Sequence, residues 1–355
     1  MKKALKIIGI LLLVLVVAVG GYVAYVFISY HRLPDVDEAV APAGETAKAG
    51  EPYTIVTWNL GFGAYSDDYG FFMDGGTESW AFSKDAVYQN IGFAEEQMKA
   101  LDPNLLVLQE VDTDATRSYH VDEAELVCTA FPGMQAYFAQ NYDSPFLFYP
   151  ILKPHGASKS GIVTLSECGF DRQVRVGLPI ETGVTKILDL DRCYSKVWIP
   201  VENGKHLVLY NLHLSAYTSD GTIAQKQLEI LCADMQTEVE AGNYVIAGGD
   251  FNKDLLGDSA AVFGEEHRDY SWNQPIPEGT IPAGLTLVAP LDEANPVPSN
   301  RIADGPYVKG ETFVNTLDGF IVSDNVTVND CSVIDTGFKC SDHNPVTMEF
   351  VLDEE

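Results

Sequence analysis

The sequence is poor in positively charged residues. Its 355 residues include 22 lysines and arginines against 51 aspartates and glutamates, and the formal net charge is −29. This balance repels polyanions at long range, which argues against a protein that coats nucleic acid through a basic surface. It does not exclude a nuclease, because a bound divalent cation changes the local field at a site.

Two common kinds of reactive site are also missing. None of the six cysteines forms a C-x-x-C pair, which argues against a zinc ribbon or a dithiol redox motif. No serine or cysteine stands in a nucleophile-elbow pattern such as G-x-S-x-G, so water is the expected nucleophile of a hydrolysis. The even number of cysteines permits disulfides outside the cytoplasm, but small buried thiols are at least as good an interpretation.

A long apolar run lies near the N-terminus. After three early lysines, residues 7–28 carry no charge and match a bilayer core of about 30 Å. We interpret residues 1–30 as an uncleaved transmembrane signal anchor, because the apolar region of a cleavable signal peptide is usually only about 7–15 residues long. The positive-inside rule then predicts a single-pass protein of the cell membrane, with a cytoplasmic N-terminus and an extracytoplasmic domain. Residues 31–52, rich in alanine, proline, glycine and charge, predict a flexible linker.

Residues 53–355 predict one domain with a sizeable core. One-sided apolar stripes predict helices over about 83–101, 121–131 and 222–241. Between them lie many strand-like runs, and a proline-rich loop is expected from about 254 to 310. Because strands outnumber helices, the pattern favours an α+β fold in which two sheets pack face to face with helices outside.

Polar residues recur where the predicted strands end. Each has an ordinary structural explanation when taken alone, such as a solvated cap, a turn or a hydrogen-bonded core histidine. Several such endings in one chain favour a shared site, because strand termini converge at the edge of a packed sheet. The endings are Asn59, Glu110, His213, Asp250 with Asn252, Asp318, and Ser341-Asp342-His343.

The chemistry of these residues points to a hard divalent cation. Glu110 and Asp342 offer oxygen ligands, and Asn59 is expected close by. Oxygen-rich sites without thiols suit Mg²⁺, and also Mn²⁺ or Ca²⁺, rather than zinc. Two histidines and an amide remain to act on a phosphoryl group. The sequence therefore predicts metal-dependent hydrolysis of a phosphoester by water.

Six motifs, in this order, resemble the endonuclease/exonuclease/phosphatase superfamily of DNase I-like phosphoesterases. They are TWN, QE, NLHL, GGDFN, LDGFIVS and SDHNPV. The resemblance covers about residues 53–351, and the pair GGDFN and SDHNPV is its most specific part. It implies a four-layer α/β sandwich of two packed mixed sheets with outer helices, and a site at the top of the sheets. It also implies a hydrolase of phosphodiester or phosphomonoester bonds.

The resemblance implies a role for each residue of the metal shell. Glu110 corresponds to the metal-binding glutamate, and Asn59 lies beside it in the shell. Asp342 is expected to bind or orient the metal. Asp250 is expected to orient the attacking water.

Further roles concern the substrate phosphate. Asn252 is expected to hold a phosphate oxygen, and His213 to contact the scissile phosphate. His343 would pair with Asp318 in a dyad that either takes a proton from water or polarises the phosphate. A carboxylate beside an imidazole raises its basicity and fixes its tautomer.

The substrate is the least constrained prediction. Arg117 and Lys159 are weak candidates for phosphate contacts, since surface charge is the ordinary explanation for both. The loop 60–83 either rims the site with its aromatic residues or folds them onto the domain body. The acidic balance favours a small or lipid-linked phosphoester over nucleic acid. The alternatives are a DNA or RNA nuclease, and a catalytically inactive binding module on the same fold; no protein partner follows from the sequence.

Overall fold

Two mixed β-sheets packed face to face form the centre of the structure. A computed structural model describes residues 1–182, 190–216, 221–268 and 270–354. Its strands are β1 Val36–Ala39, β2 Pro52–Asn59, β3 Leu105–Ala115, β4 Gln135–Asp143, β5 Ser158–Ser166, β6 Arg172–Gly177, β7 Cys193–Pro200, β8 His206–His213, β9 Tyr244–Asp250, β10 Leu285–Val288, β11 Asn300–Arg301, β12 Val314–Asn315, β13 Asp318–Ser323, β14 Val326–Val333 and β15 Val346–Leu352. Its helices are α1 Lys2–Ser29, α2 Lys84–Ala100, α3 Glu123–Ala130, α4 Thr222–Glu240 and α5 Ser259–Phe263.

Strand order differs from chain order in both sheets. The seven-stranded sheet has the order β1-β6-β7-β8-β9-β13-β10, and the six-stranded sheet has the order β14-β15-β2-β3-β5-β4. The pairs β8 with β9 and β2 with β3 are parallel. The chain therefore leaves β8 and β9 at the same edge of their sheet, where side chains from both strands meet.

Apolar side chains fill three layers of the interior. Between the sheets, Ile55 and Val107 of the six-stranded sheet share a buried cluster with Leu209 and Ile246 of the seven-stranded sheet. Helices α2 and α3 bury apolar side chains against the outer face of the six-stranded sheet, and α4 does so against the other sheet. The predicted α+β four-layer sandwich is confirmed.

Helix α2 begins and packs as its sequence predicts. The Oγ of Ser83 accepts a hydrogen bond from the backbone N–H of Ala86 at 3.0 Å, which satisfies one of the free amides at the helix start. The apolar stripe of the helix is buried in the same cluster as Trp58 and Leu108. The helix thereby supports the two strands that lead to the candidate site.

The prediction of a flexible linker over residues 31–52 is wrong for most of that segment. Strand β1 pairs antiparallel with β6, and Arg172 of β6 makes a two-pronged ion pair with Asp37 at 2.8 and 2.7 Å. Farther along, the N–H of Ala47 donates to the carbonyl of Pro200 at 2.9 Å. Without β1, strand β6 would expose an unpaired edge, and an extended segment satisfies that edge whatever its composition.

We expect this segment to resist proteolysis. Native digestion with proteinase K, read by mass spectrometry, should leave residues 36–47 uncut while exposed loops are cleaved, because paired backbone cannot enter a protease site without local unfolding. Asp37→Arg places a like charge opposite Arg172 and should accelerate cleavage in 36–39. Early cleavage of the wild-type chain within 36–39 would show that this segment is a flexible linker after all.

Helix α1 is long and apolar enough to cross a membrane. Its mean hydropathy reaches 2.8 over an 18-residue window, and none of that window is buried. A signal sequence near the N-terminus has the same properties. The helix therefore supports the predicted span by length and composition, without fixing its orientation.

Candidate active site

Three neighbouring strands of the seven-stranded sheet place three predicted residues side by side. His213 of β8 is in register with Asp250 of β9, and Asp250 is in register with Asp318 of β13. All three side chains are almost completely buried. At Gly249, beside Asp250, an added Cβ would collide with the carbonyl oxygen of Leu212, so the two glycines of the motif permit this close strand approach.

The six-stranded sheet contributes residues to the same place. Asn59 ends β2, and its Nδ2 donates to Oε1 of Glu110 at 3.2 Å and to Oδ2 of Asp250 at 3.1 Å. The second bond joins the two sheets across the site. Asp342 and His343 shortly precede β15, whose first residue is in register with Thr57 of β2. The antiparallel start of β15 therefore lies beside the end of β2.

The sequence predicts that Glu110 ends its strand. In the structure it lies inside the strand, at a bulge. Strand β3 continues to Ala115, and its pairing with β5 shifts between Leu108 and Val111. The backbone of Glu110 has a φ of 51°, a left-handed conformation that is uncommon for a residue with a side chain. Bulges of this kind redirect a side chain, and here the carboxylate reaches Asn59.

Gly61 lies close to both Asn59 and Asp342. Its N–H donates to Oδ1 of Asn59 at 3.0 Å. A Cβ at this position would lie 2.7 Å from the ring of Tyr65 and 3.1 Å from Oδ1 of Asp342, and the φ of 54° disfavours any side chain. Only glycine fits between these groups.

Asp318 and His343 form a buried dyad. Nδ1 of His343 lies 2.7 Å from Oδ2 of Asp318, which also accepts a hydrogen bond from Oγ of Ser299 at 2.7 Å. Burial alone would lower the pKa of His343, but Asp318 and Asp250 outweigh it and raise that pKa to about 10. A ring protonated on both nitrogens needs an acceptor at Nε2, where the amide of Asn300 lies at 2.9 Å. The acceptor is either Oδ1 of Asn300, after rotation of the amide, or an oxygen of a bound phosphate.

Asp250 lies between the two histidines. Its Oδ1 accepts a hydrogen bond from the N–H of Asn252 at 2.9 Å, and its Oδ2 lies 3.4 Å from Nε2 of His213 and 3.8 Å from Nε2 of His343. Burial raises the pKa of Asp250 to about 7, against the opposing effect of His343. Burial also lowers the pKa of His213 well below its usual value, and Arg192 adds to that effect. His213 is therefore neutral at pH 7.

The donor set fits a hard divalent cation. Burial raises the pKa of Asp342 to about 7, and the neighbouring carboxylate of Glu110 adds to the rise. Raised pKa values in a crowded group of carboxylates indicate that too little positive charge lies nearby to stabilise their ionised forms. A bound cation would supply that charge. Among the described residues, Asp250, Asp318 and His343 form a group of potential ligand atoms within 4.8 Å of one another. Since Asp318 is already bonded to His343 and Ser299, we regard Glu110, Asp342 and Asn59 as the better cation shell.

Several solved structures share this architecture. An endonuclease/exonuclease/phosphatase from Beutenbergia cavernae is similar with a TM-score of 0.57 and 18% identity, over 85% of this chain and 72% of that chain. ANGEL2, a 2′,3′-cyclic phosphatase, is similar with a TM-score of 0.54 and 14% identity, over 92% of this chain and 99% of its own. The human Nocturnin catalytic domain gives a TM-score of 0.52 and 17% identity, over 89% of this chain and 97% of its own. The chain has the endonuclease/exonuclease/phosphatase fold.

Comparisons of sequence alone identify no relative of this chain. Neither a scan of protein-family models nor a search of curated proteins finds a match. The endonuclease/exonuclease/phosphatase fold therefore rests on structure, and it confirms the fold that the six sequence motifs imply. It does not by itself assign an activity to this chain.

The eight catalytic and metal residues predicted from the sequence line or adjoin one cleft of about 690 Å³ in the endonuclease/exonuclease/phosphatase fold. Lys159 is not among the cleft residues. It lies on β5 in register with Asp114 and Asp143, and its side chain is exposed. Its prediction as a phosphate contact therefore gains no support from the structure.

Arg117 does line the cleft, but its charge is already neutralised. Its Nε and Nη2 donate to the two carboxylate oxygens of Asp112 at 3.0 and 2.8 Å, and its guanidinium lies 3.9 Å from the ring centre of Phe62. The residue is buried. The structure therefore gives Arg117 a packing role in the wall of the cleft and leaves little charge for a phosphate.

Two residues near the site were not predicted. Asn300 contacts His343, and Arg192 lines the cleft with an Nε that has no hydrogen-bond partner in the described part of the chain. Arg192 directly precedes β7, which is antiparallel to β8. A search of strand beginnings, as well as strand ends, would have found it.

The aromatic loop 60–83 mostly folds onto the domain body. The side chains of Phe62, Tyr65, Tyr69 and Phe71 are buried in one cluster of edge-to-face and tilted rings. Farther along the loop, the half-buried aromatic ring of Phe72 lines the cleft, together with the exposed Met73. The loop thus has both of the roles that the sequence left open.

Proposed function

We propose that this protein is a membrane-anchored phosphoesterase that requires a divalent metal ion. It hydrolyses a phosphodiester or phosphomonoester bond by in-line attack of water. The supporting observation is the convergence of carboxylates, imidazoles and amides from both sheets on one cleft. The family fold is consistent with this chemistry, and the donor set fits Mg²⁺, with Mn²⁺ or Ca²⁺ as alternatives.

The roles of the residues follow from their geometry. Asp250, with a pKa near 7, accepts a proton from the attacking water at neutral pH. His343, held protonated by Asp318, donates its Nε2–H to a phosphate oxygen in place of Asn300. A bound cation supplies charge neutralisation at the phosphate, and Glu110, Asp342 and Asn59 would hold it.

The remaining residues orient the substrate. His213 is neutral and buried beside Asp250, so its Nε2–H donates without adding a charge. Asn252 is held by Asp250 and by the carbonyl of Leu214, to which its Nδ2 donates at 2.8 Å. Both side chains present fixed hydrogen-bonding groups toward the cleft.

The charges around the cleft favour a small or lipid-linked substrate over nucleic acid. Arg117 is paired with Asp112, and Lys159 lies elsewhere. Two further arginines, Arg192 and Arg301, line the cleft, but the lining also includes Asp74 and Glu181 besides the carboxylates of the site. A nuclease that follows a polyanionic backbone needs several cations along its groove. This arrangement disfavours the nuclease alternative.

Hydrolysis of bis(4-nitrophenyl) phosphate tests the proposal. Purified full-length protein with Mg²⁺ should release nitrophenolate, and Asp250→Asn should reduce kcat by about 10²-fold because the proton acceptor is lost. Asp330→Asn, at an exposed aspartate of β14, is the matched control and should behave as wild type. Absence of turnover by the wild-type protein with any of the three cations would favour the inactive binding module.

The membrane topology has its own test. We propose that α1 spans the membrane with the N-terminus in the cytoplasm and the catalytic domain outside. An impermeant amine-reactive label added to intact cells should modify Lys309, whose side chain is 83% exposed, and should leave Lys2 and Lys3 unmodified. Labelling of the two N-terminal lysines with protection of Lys309 would reverse the orientation.

A further inference from the structure

The C-terminal part of α1 packs against a loop at the mouth of the cleft. The hydroxyl of Tyr22 donates to the carbonyl of Phe146 at 3.1 Å and accepts from the N–H of Phe148 at 3.0 Å. The hydroxyl of Tyr25 accepts from the N–H of Phe146 at 3.2 Å. The Tyr22 ring meets the Phe148 ring edge-on at 5.8 Å.

Among the described residues of the domain, the loop of residues 146–152 is the most exposed apolar segment. Its run Phe-Leu-Phe-Tyr-Pro-Ile-Leu contains no charge. Tyr149 is 69% exposed, Ile151 70% and Leu152 100%, whereas the other large exposed apolar residues of the domain are scattered. Contiguous exposed apolar side chains of this kind mark a surface that contacts protein or membrane.

The backbone of the loop is already suited to an apolar environment. Leu147 and Gly156 exchange backbone hydrogen bonds at 2.9 and 3.1 Å, and the two tyrosines satisfy groups at 146 and 148. Non-helical backbone is tolerated at membrane depth only when its polar groups have partners. The loop meets this condition for the groups that face α1.

The chain after α1 fixes the domain against the helix. Arg32 donates to the carbonyl of Leu178 at 2.9 Å and forms an ion pair with Asp191, and His31 lies 3.6 Å from Asp143. Tyr22 and Tyr25 stand one to two turns before the helix end at Ser29, about 6–10 Å along its axis. Tyrosines of a spanning helix prefer the membrane interface. With α1 spanning a membrane as proposed, loop 146–152 would lie at the depth of the interface.

The cleft connects this loop with the reactive groups. Tyr22, Phe148 and Ile151 line one part of the cleft, and Glu110, Asp250 and His343 line another. The geometry points to a substrate that is a membrane lipid carrying a phosphoester. Its apolar chain remains at loop 146–152 and α1 while the phosphate reaches Asp250 and His343. This inference rests on the proposed phosphoesterase function and names its substrate class.

The placement of the loop is tested with full-length protein in phosphatidylcholine vesicles. Fluorescence added by Leu152→Trp should be quenched by dibrominated phosphatidylcholine. Fluorescence added by Glu202→Trp should not be, because Glu202 is exposed in the turn at the opposite ends of β7 and β8 from His213. Equal protection of both tryptophans from the bromolipid would overturn the inference and leave a protein partner as the occupant of the loop.

The substrate class is tested with two chromogenic phosphodiesters in the same vesicles. Water attacks phosphorus, the aryl P–O bond breaks, and nitrophenolate leaves from methyl or hexadecyl 4-nitrophenyl phosphate alike. We expect kcat/KM to be at least about 10²-fold higher for the hexadecyl ester, because its chain partitions into the apolar part of the site. Leu152→Asp should lower the hexadecyl rate about 10-fold, since a charge opposes membrane contact, and leave the methyl rate unchanged.

The outcomes separate the two proposals. Equal rates on both esters, or an equal effect of Leu152→Asp on both, would overturn the lipid inference while the phosphoesterase function stands. Release of nitrophenolate from neither ester would refute the phosphoesterase function itself. The bromolipid measurement would then still decide whether loop 146–152 meets the membrane.

Discussion

Replacing His343 with alanine should lower kcat by about 10³-fold, within the usual range for a lost acid–base group. The imidazole is buried, 2.7 Å from Asp318 and 3.8 Å from Asp250, and its Nε2–H is the proposed donor to the phosphate, so the substitution removes that donor. Stopped assays with bis(4-nitrophenyl) phosphate and Mg²⁺ measure the loss. A folded His343→Ala protein with near-wild-type kcat would contradict its role.

The chain offers a matched control for this substitution. His120 pairs with Asp114 at 2.5 Å, but both side chains are about two-thirds exposed, at 63% and 60%. His120→Ala removes a histidine–aspartate pair of similar length outside the cleft, and kcat should stay within about 2-fold, as is usual for an exposed surface group.

Asp318→Asn separates the dyad from a merely structural contact. The Asp318 charge helps raise the pKa of His343 to about 10. Without that charge the imidazole loses its proton at lower pH, so the alkaline limb of the kcat profile should shift to lower pH. Loss of activity without a shift in the profile would indicate that Asp318 acts only by packing.

The sequence predicts most of this site because parallel strands that end together are visible as polar residues after apolar runs. His213 and Asp250 are found in this way, and their register in β8 and β9 explains why they meet. Arg192 stands at the beginning of an antiparallel strand, where the chain enters the site. Polar residues after apolar runs mark only strand ends, so a residue that directly precedes a strand escapes this pattern.

Pairing between distant segments is the second feature that composition does not reveal. Residues 31–52 have the composition of a linker, yet β6 provides a free edge that β1 completes. Arg117 has the chemistry of a phosphate contact, but Asp112 lies five residues earlier and neutralises its charge in an ion pair. In both cases the fold decides which group pairs with the segment or side chain. Residue type alone does not show whether such a partner is present.

Removal of divalent metal should abolish activity, with a loss of more than about 10³-fold, and added Mg²⁺ or Mn²⁺ should restore it. The physical reason is the crowding of four carboxylates at one site, where Asp250 and Asp318 are buried and Glu110 and Asp342 are half-buried. Without a cation, the phosphate of a substrate faces their uncompensated negative charge. Dialysis against EDTA, followed by titration with each cation, measures the effect. Full activity in a rigorously metal-free preparation would refute the mechanism.

Thermal unfolding gives a test of the same site that needs no substrate. In the cation-free protein the pKa values of Asp250 and Asp342 are raised from 3.8 to about 7. A raised folded-state pKa means that the stability is present below about pH 4 and is lost as the pH rises through 7. A cation binds the deprotonated groups and reverses that loss, so Mg²⁺ should raise Tm more at pH 8 than at pH 6.

Glu110→Gln should reduce the shift at pH 8, whereas His120→Ala should preserve it. An Mg²⁺-induced shift that is the same at both pH values would mean that the cation binds away from these carboxylates.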